Sequence, residues 1–463
     1  MKPKNLKPET LNPKMMKKKL RWIIPLIIVS ILVVVCMTRW NAWFGNPVEP
    51  PYKNFDYPAR IQLTFGNAGE MSRNISWQCG ETLEASHVLL VKSESTDTIS
   101  VKAEGKLFET TGGTTVIYWA KLNQLSEGAY NYCVCTGTKQ SGWNEFAIRK
   151  NPEKFSFIYL GDIQDSIHGE TGSFLLNIRR QKSDADFWLL GGDVIERPHD
   201  RYWNEYFTSM DSISQRYPVI AIPGNHEYRK GIGQTLDERF VNVFSYFAEN
   251  KKDNNTVYAL NYSNTSIITL DSNRDFWTFS SQKKWFEEVL IQSEKSTWKI
   301  VVLHHPIHSI RGKMNNLVVR LAFEKLIEKY NVDLVLLGHE HAYARMISKD
   351  NNGNFKTPVY LISNASPKDY RINFNELYDR YGAGMRFYQT VDVHKDTLFI
   401  KTFTENNKLY DEVRLIKSGE KTYIDDFVKN IPESIEINSR TTKLKSNKRD
   451  KYEQEIREWF RKI

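Results

Sequence analysis

Five short apolar runs between residues 155 and 341 all stop the same way, and that pattern constrains the chain more than any other. They are FSFIYLGDIQD (155–165), DFWLLGGD (186–193), YPVIAIPGNHE (217–227), KIVVLHHP (299–306) and VDLVLLGHEH (332–341). Runs such as IVVL and LVLL are apolar on both faces, as strands covered on both sides require. They alternate with helical segments at 172–183, 200–216, 281–296 and 314–330, so an α/β layering is predicted. In such a sheet the carboxyl ends of the strands form the ligand-binding rim. Five strand ends would bring Asp162, Asp193, Asn225, His304, His339 and His341 to one rim. Taken singly, each has a plainer use: a strand-end Asp caps a helix, and a pair of loop histidines faces solvent. As a set they are three oxygen donors and three imidazoles, and buried polar groups are costly unless paired or bound to a metal. The set suits two metal ions sharing a bridging carboxylate.

Ahead of these runs, residues 58–150 read differently. Short alternating segments (ARIQLTF, RNISWQC, SHVLLVKS, TVIYWAKL, AYNYCVC, NEFAIRK) are separated by Gly, Asn and Ser turns, with no helical stretch. An all-β sandwich is predicted there, with Trp77 and Tyr132 as core aromatics. An α/β unit is predicted over 155–416, closed by late strands within PVYLISNAS, YQTVDVHKDTLFIKTF and YDEVRLIK. The polar tail 417–463 ends in a helix whose Tyr452, Ile456, Trp459, Phe460 and Ile463 share one face, expected to dock on the main domain.

The net charge of +9 suggests nucleic acid until it is located. Residues 1–21 hold eight Lys or Arg against Glu9 alone, a local charge of +7 that leaves +2 for the rest. No electrostatic footprint for nucleic acid remains. The basic stretch precedes WIIPLIIVSILVVVCMT (22–38), which carries no charge and is flanked by Trp22, Trp40, Trp43 and Phe44. This reads as a transmembrane signal anchor with a basic cytoplasmic segment before it and a Pro-rich linker (39–57) after it. The remainder would be extracytoplasmic, in the periplasm or at the cell surface. A cleaved signal peptide, giving a secreted protein, competes; so does lipoprotein processing at Cys36, which Val35 disfavours. Export would permit Cys79 to pair with Cys133 or Cys135, and free thiols are the alternative.

The ordered motifs Gly-Asp, Gly-Asp, Gly-Asn-His-Glu, Val-x-x-His and Gly-His-x-His resemble the metallophosphoesterases. GHEHAYARM is close to the form in purple acid phosphatases, which often carry a Tyr and an Arg there, as Tyr343 and Arg345 stand here. Those enzymes commonly place a fibronectin type III-like sandwich before the catalytic domain, so the resemblance covers about 58–416. It implies a four-layer catalytic domain, two mixed β-sheets flanked by helices, with two metal ions (Fe, Mn, Zn or Mg) at the rim. Carried over, Asp162 and His341 would hold the first metal, Asp193 would bridge, and Asn225, His304 and His339 would hold the second. His304 is preferred to His305 because it completes Val301-x-x-His304. His226 would face the phosphate as donor or general acid.

Two positions depart from the family. The Tyr expected three residues after the bridging Asp is Glu196, and the His expected two residues after the first Asp is Gln164. Gln164 and Glu196 therefore become candidate ligands of the first metal, and a colourless or pale protein is expected even with iron. His308, His199 and Arg345 are candidate substrate-lining residues. The resemblance implies hydrolysis of a phosphate monoester by a metal-bound hydroxide. Rival readings are a phosphodiesterase or nucleotide hydrolase with the same centre, and a surface binding protein whose metal site has degenerated. Leaving-group contacts would come from loops such as 228–256 and 365–385.

Overall fold

The computed structural model describes residues 13–51, 54–67, 69–110, 112–231, 234–244, 256–273, 276–312, 316–419, 421–437 and 446–462. The start of the basic segment, Ile463 and much of loop 228–256 lie outside the described residues. The chain forms two units, Met1–Val48 with Arg229–Thr235, and Glu49–Tyr228 with Leu236–Ile463.

The first unit is dominated by one helix, Pro13–Phe44. Its stretch Ile23–Asn41 is 19 residues long with mean hydropathy 2.4, and none of it is buried. At 1.5 Å per residue this is close to the thickness of a bilayer's hydrocarbon core. The helix outruns the predicted apolar segment because nothing between Arg39 and Phe44 breaks it. It closes at Gly45, whose N–H donates to Asn41 O (3.0 Å).

In the second unit, residues 59–148 form two antiparallel sheets. One has the order Ala59–Gly66, Gly69–Gln78, Gly113–Leu122, Glu104–Thr110. The other joins Thr98–Lys102, Ser86–Lys92 and Gly128–Thr136, with Lys139–Gln140 and Asn144–Ile148 against the last. Ile61, Leu63, Ile75 and Trp77 from the first share one core with Val88, Leu90, Tyr132 and Phe146 from the second. Strands Thr98–Lys102 and Glu104–Thr110 escaped the sequence pattern because they lie at sheet edges and are almost wholly exposed. Without a buried face there is no apolar alternation to read. Cys79, Cys133 and Cys135 are buried free thiols, and Gln140 Nε2 donates to Cys133 Sγ (2.9 Å).

The remaining residues build two larger sheets. A seven-stranded sheet runs Val219–Ala221, Phe187–Leu190, Lys154–Leu160, Phe387–His394, Thr397–Thr404, Leu409–Ser418, Lys421–Asp426. An eight-stranded sheet runs Tyr258–Tyr262, Thr265–Thr269, Trp298–Val302, Leu334–Leu337, Phe355–Ile362, Tyr343–Lys349, Arg380–Ala383, Ser434–Ile435. The first three strands of the seven-stranded sheet pair in parallel, as do Thr265–Thr269 through Phe355–Ile362 in the other. All five motif strands are in these parallel blocks, so their carboxyl ends emerge together. Phe157 and Leu189 from one sheet and Ile300, Leu336 and Leu361 from the other belong to one continuous core. Val301, Val335 and Leu337 join a second core with Phe286 and Leu290 of helix Phe276–Gln292 and Phe323 and Ile327 of helix Leu317–Lys329. Residues apolar on both faces are buried on both faces.

The helix Ser446–Lys462 docks through Tyr452, Ile456 and Trp459, while Phe460 stays exposed. Trp459 Nε1 donates to Glu433 Oε2 (2.7 Å) and Tyr452 Oη accepts from the Ile372 N–H (3.1 Å).

A buried charge cluster ties residues far apart in sequence. Arg60 Nη1 and Nη2 donate to the two carboxylate oxygens of Asp200 (2.5 and 3.0 Å). Arg239 donates from Nη1 to Glu49 Oε1 (2.6 Å) and from Nε to Asp237 Oδ2 (3.1 Å). Glu49 belongs to the predicted linker 39–57, yet it is only 4% exposed. The end of that segment is stapled down.

Candidate metal centre

Three of the five motif strands end directly before a glycine, Gly161, Gly191 and Gly338, and the chain turns abruptly there. Asp162, Asp193, His339 and His341 all take positive φ (55°, 52°, 71° and 50°). L-residues avoid this region at about 1–3 kcal/mol each, and such strain concentrates at functional sites. The glycines beside them make room. A Cβ on Gly338 would lie 2.6 Å from Asp162 Oδ2, and one on Gly224 would lie 2.1 Å from Asp193 Oδ1.

These turns assemble two overlapping ligand groups. One donor atom each from Asp193, His304 and His339 falls within 4.8 Å of the others, and the same holds for Asp162, Asp193 and His341. Asp193 is common to both, as a bridging carboxylate would be. Asn225 stands beside His339, its Oδ1 2.9 Å from His339 Nδ1. His304 Nδ1 donates to Gly191 O (2.9 Å), which turns Nε2 toward Asp193 Oδ2 at 3.3 Å. His305 points elsewhere, its Nδ1 2.9 Å from Ser272 Oγ.

The cluster is incomplete as a set of protein groups. Asp162 Oδ1, Gln164 Oε1, His304 Nε2 and His341 Nδ1 are buried and make no hydrogen bond among the described residues. Buried polar atoms left this way cost about 1–3 kcal/mol each, and Asp162 Oδ1, 3.8 Å from His341 Nε2, and His304 Nε2, 3.3 Å from Asp193 Oδ2, fit bound cations. Ionisation gives the same picture. Burial pushes Asp162 well above the usual carboxylate range, with Asp193 adding to the rise. Burial works against the protonated His304 imidazole, but the adjacent Asp193 carboxylate overrides it and lifts His304 to about 10. Burial drives His341 down to about 3, with Lys368 nearby reinforcing the shift. Asp193 goes the other way: burial would raise it, but the adjacent His304 and His226 imidazoles hold it well below the usual carboxylate range.

Gln164 is drawn into this cluster. Its Nε2 lies 3.2 Å from Asp193 Oδ2 and 3.4 Å from His341 Nε2, so the amide group borders the first ligand group. His226 sits at the mouth. Its N–H donates to Asp193 Oδ1 (2.8 Å) and its Nδ1 to Glu196 O (2.6 Å), leaving Nε2 free 3.9 Å from Asp193 Oδ2.

Four expectations need correction. Glu196 is not directed at the metal cluster: its carboxylate is paired with Lys368 Nζ. Arg345 does not face a substrate; it is buried, donating from Nε to Asp411 Oδ2 (2.7 Å) and from Nη2 to Asp426 Oδ2 (2.9 Å). Tyr343 Oη donates to the same Asp411 oxygen (2.6 Å), so the Tyr-x-Arg pair serves the fold. His199 is buried at the start of helix Asp200–Ser214, beside Tyr202. His308 Nε2 is engaged by Glu324 Oε1 (2.8 Å), with its ring against Tyr360.

Two residues were missed. The buried Glu227 carboxylate accepts from the N–H groups of Asp193, Val194, Ile195 and Gly224 (2.9, 2.8, 3.1 and 2.6 Å), fixing the loop that carries Asp193. It ends the Gly-Asn-His-Glu motif, where a buried strand-end carboxylate was the available signal. Lys368 had only its place in loop 365–385 to mark it.

Residues 155–343 match the family model described as calcineurin-like phosphoesterase. The chain is 26% identical over 314 residues to "Probable purple acid phosphatase 20" of Arabidopsis thaliana, covering 62% of this chain and 69% of that one. It is 26% identical over 317 residues to "Phosphoenolpyruvate phosphatase" of Allium cepa, covering 63% and 64%. The chain thus spans about two thirds of the length of these relatives. Among solved structures, "Structure of PhoD" superposes with a TM-score of 0.59 at 13% identity, over 87% of this chain and 99% of that one, a likeness of fold. The chain carries a calcineurin-like phosphoesterase domain with a two-metal centre, and it is a metal-dependent phosphoesterase related to the purple acid phosphatases.

Proposed function

We propose that this protein is a membrane-anchored, extracytoplasmic phosphatase that hydrolyses phosphate monoesters. The observation that carries the reading is the pair of ligand groups sharing Asp193, in which Asp162 Oδ1 lies 3.8 Å from His341 Nε2 and His304 Nε2 lies 3.3 Å from Asp193 Oδ2. Asp162, Gln164 and His341 would hold one ion, Asn225, His304 and His339 the other, and Asp193 both. Ions held there supply Lewis acidity toward the phosphoryl oxygens and activate water as the nucleophile. The chain's own part is to place the reactants. His226, fixed through Nδ1 by Glu196 O, presents Nε2 at the mouth to protonate the leaving oxygen. Glu227 holds the Asp193 loop rigid against the charge arriving on it.

The relative named for phosphoenolpyruvate supports monoesters as the substrate class. The apolar, unburied helix stretch Ile23–Asn41 supports the anchor, and the basic residues before it support a cytoplasmic amino end. The two-sheet unit 58–150 is read as fibronectin type III-like, and 155–416 as a four-layer catalytic domain. The test is turnover of a monoester and a diester by the purified full chain in detergent, with metal content measured in parallel. Monoester turnover with two ions per chain supports the reading; turnover without bound metal contradicts it.

A further inference from the structure

Glu196 stands where the purple enzymes place a metal-binding tyrosine, and the structure turns it to a lysine instead. That lysine, Lys368, lies outside the stretch that matches the phosphoesterase family. Its segment is fastened to the metal-bearing loops. The Ala365 N–H donates to Gly161 O (2.7 Å), and Ser366 Oγ donates to Gln164 O (2.8 Å). The Tyr370 N–H reaches His341 O (3.4 Å), and the Tyr370 ring stands edge-on to the His341 ring at 4.6 Å. Asn364 Nδ2 braces the Lys368 carbonyl (2.9 Å). The ammonium is therefore carried to the mouth of the centre by a segment anchored at both ends on ligand loops.

Glu196 links this ammonium to the proposed acid. Its carboxylate takes Lys368 while its carbonyl takes His226 Nδ1. Lys368, Glu196 and His226 side chains are 20%, 20% and 24% exposed, so all three meet solvent at the opening. The pair keeps one side toward solvent, so an anion arriving at the opening competes with Glu196 for the ammonium. A phosphate dianion is such an anion, and charge-assisted hydrogen bonds to it are strong. A monoester presents three terminal oxygens and a diester only two. A centre that already offers two cation positions uses a further cation only for the third.

We propose that Lys368 binds the third terminal oxygen of a phosphate monoester, with Glu196 as its resting counter-ion, and so selects monoesters over diesters. This rests on the monoesterase reading above. The experiment uses the metal-loaded full chain in detergent and its Lys368→Met, Lys368→Arg and Glu196→Gln variants. Inorganic phosphate is titrated by calorimetry, and kcat/KM is measured for p-nitrophenyl phosphate and bis(p-nitrophenyl) phosphate. Lys368→Met is expected to weaken phosphate binding about tenfold and to lower the monoester-to-diester ratio by about the same factor. Lys368→Arg should stay within about threefold of the parent, and Glu196→Gln, which keeps the lysine and removes its rival, should bind phosphate more tightly. Unchanged phosphate affinity in Lys368→Met, or equal losses on both esters, would make Lys368 a prop for Glu196 and overturn the proposal. A parent chain that turns over neither ester defeats the monoesterase reading, and the calorimetry then decides Lys368 alone. A parent that prefers the diester overturns the selectivity.

Discussion

Two of the buried clusters of charged and polar residues in this molecule differ in how their groups are satisfied. In the cluster of Glu49, Arg60, Asp200, Asp237 and Arg239, every carboxylate accepts from a guanidinium or an N–H. At the strand-end rim, Asp162, Gln164, His304 and His341 each keep a buried atom without a hydrogen bond. In the first cluster the charges are paired within it, although Arg60 Nε is left without a hydrogen bond. The second gathers carboxylate and imidazole atoms from several strand ends within 4.8 Å of one another, a set that suits bound cations. Burial and charge are common to both, so neither marks a functional site; the gathering of carboxylate and imidazole ligand atoms within 4.8 Å does.

The comparison can be broken from either side. The largest effect expected falls on chemistry: His226→Ala should keep both metals and lose about 10²–10⁴-fold in kcat on esters with poor leaving groups. An equal loss on activated and unactivated esters would remove its role as acid. On the paired cluster, Arg239→Ala leaves Glu49 and Asp237 buried without their partner and should destabilise the chain by about 3–5 kcal/mol. Denaturant unfolding measures this; a loss below about 1 kcal/mol would mean the cluster is solvated and the contrast with the rim is false. Gln164→Leu should be milder, weakening one metal about tenfold and leaving the other, as metal titration would show. No effect would leave the amide oxygen without a ligand role. The smallest signal is optical. With Tyr343 committed to Asp411 and Glu196 to Lys368, the iron-loaded chain should show no strong visible band. A band abolished by Tyr370→Phe would instead put that ring on the metal.

The rim was legible in the sequence because each parallel strand delivers its own ligand at its own end, so the pattern is local. The six candidate positions needed only the recognition that five apolar runs stop in Asp, Asn or His, and the structure gathers Asp162, Asp193, His304, His339 and His341 into two groups. The paired cluster was not legible. Arg60 and Asp200 are 140 residues apart and Glu49 and Arg239 are 190 apart, and no periodicity points from one to the other. The same distance misled the reading of Arg345, whose partners Asp411 and Asp426 come from strands far downstream. Strands Tyr258–Tyr262 and Thr265–Thr269 are absent from the sequence prediction; they form a hairpin whose Ser263–Asn264 turn joins two largely buried strands. Lys368 carried no signal of its own, since a lysine in a polar loop is ordinary until its loop is seen tied to Gly161, Gln164 and His341.

The central claim is that one carboxylate, Asp193, holds two ions. Metal content per chain, measured on the full chain and on Asp193→Ala after identical loading and removal of free metal, tests it most directly. Two ions in the parent and loss from both positions in the variant is the result expected, with the fold retained by circular dichroism. A folded variant that still carries two ions per chain would contradict the bridge, and with it the two-metal reading of the rim.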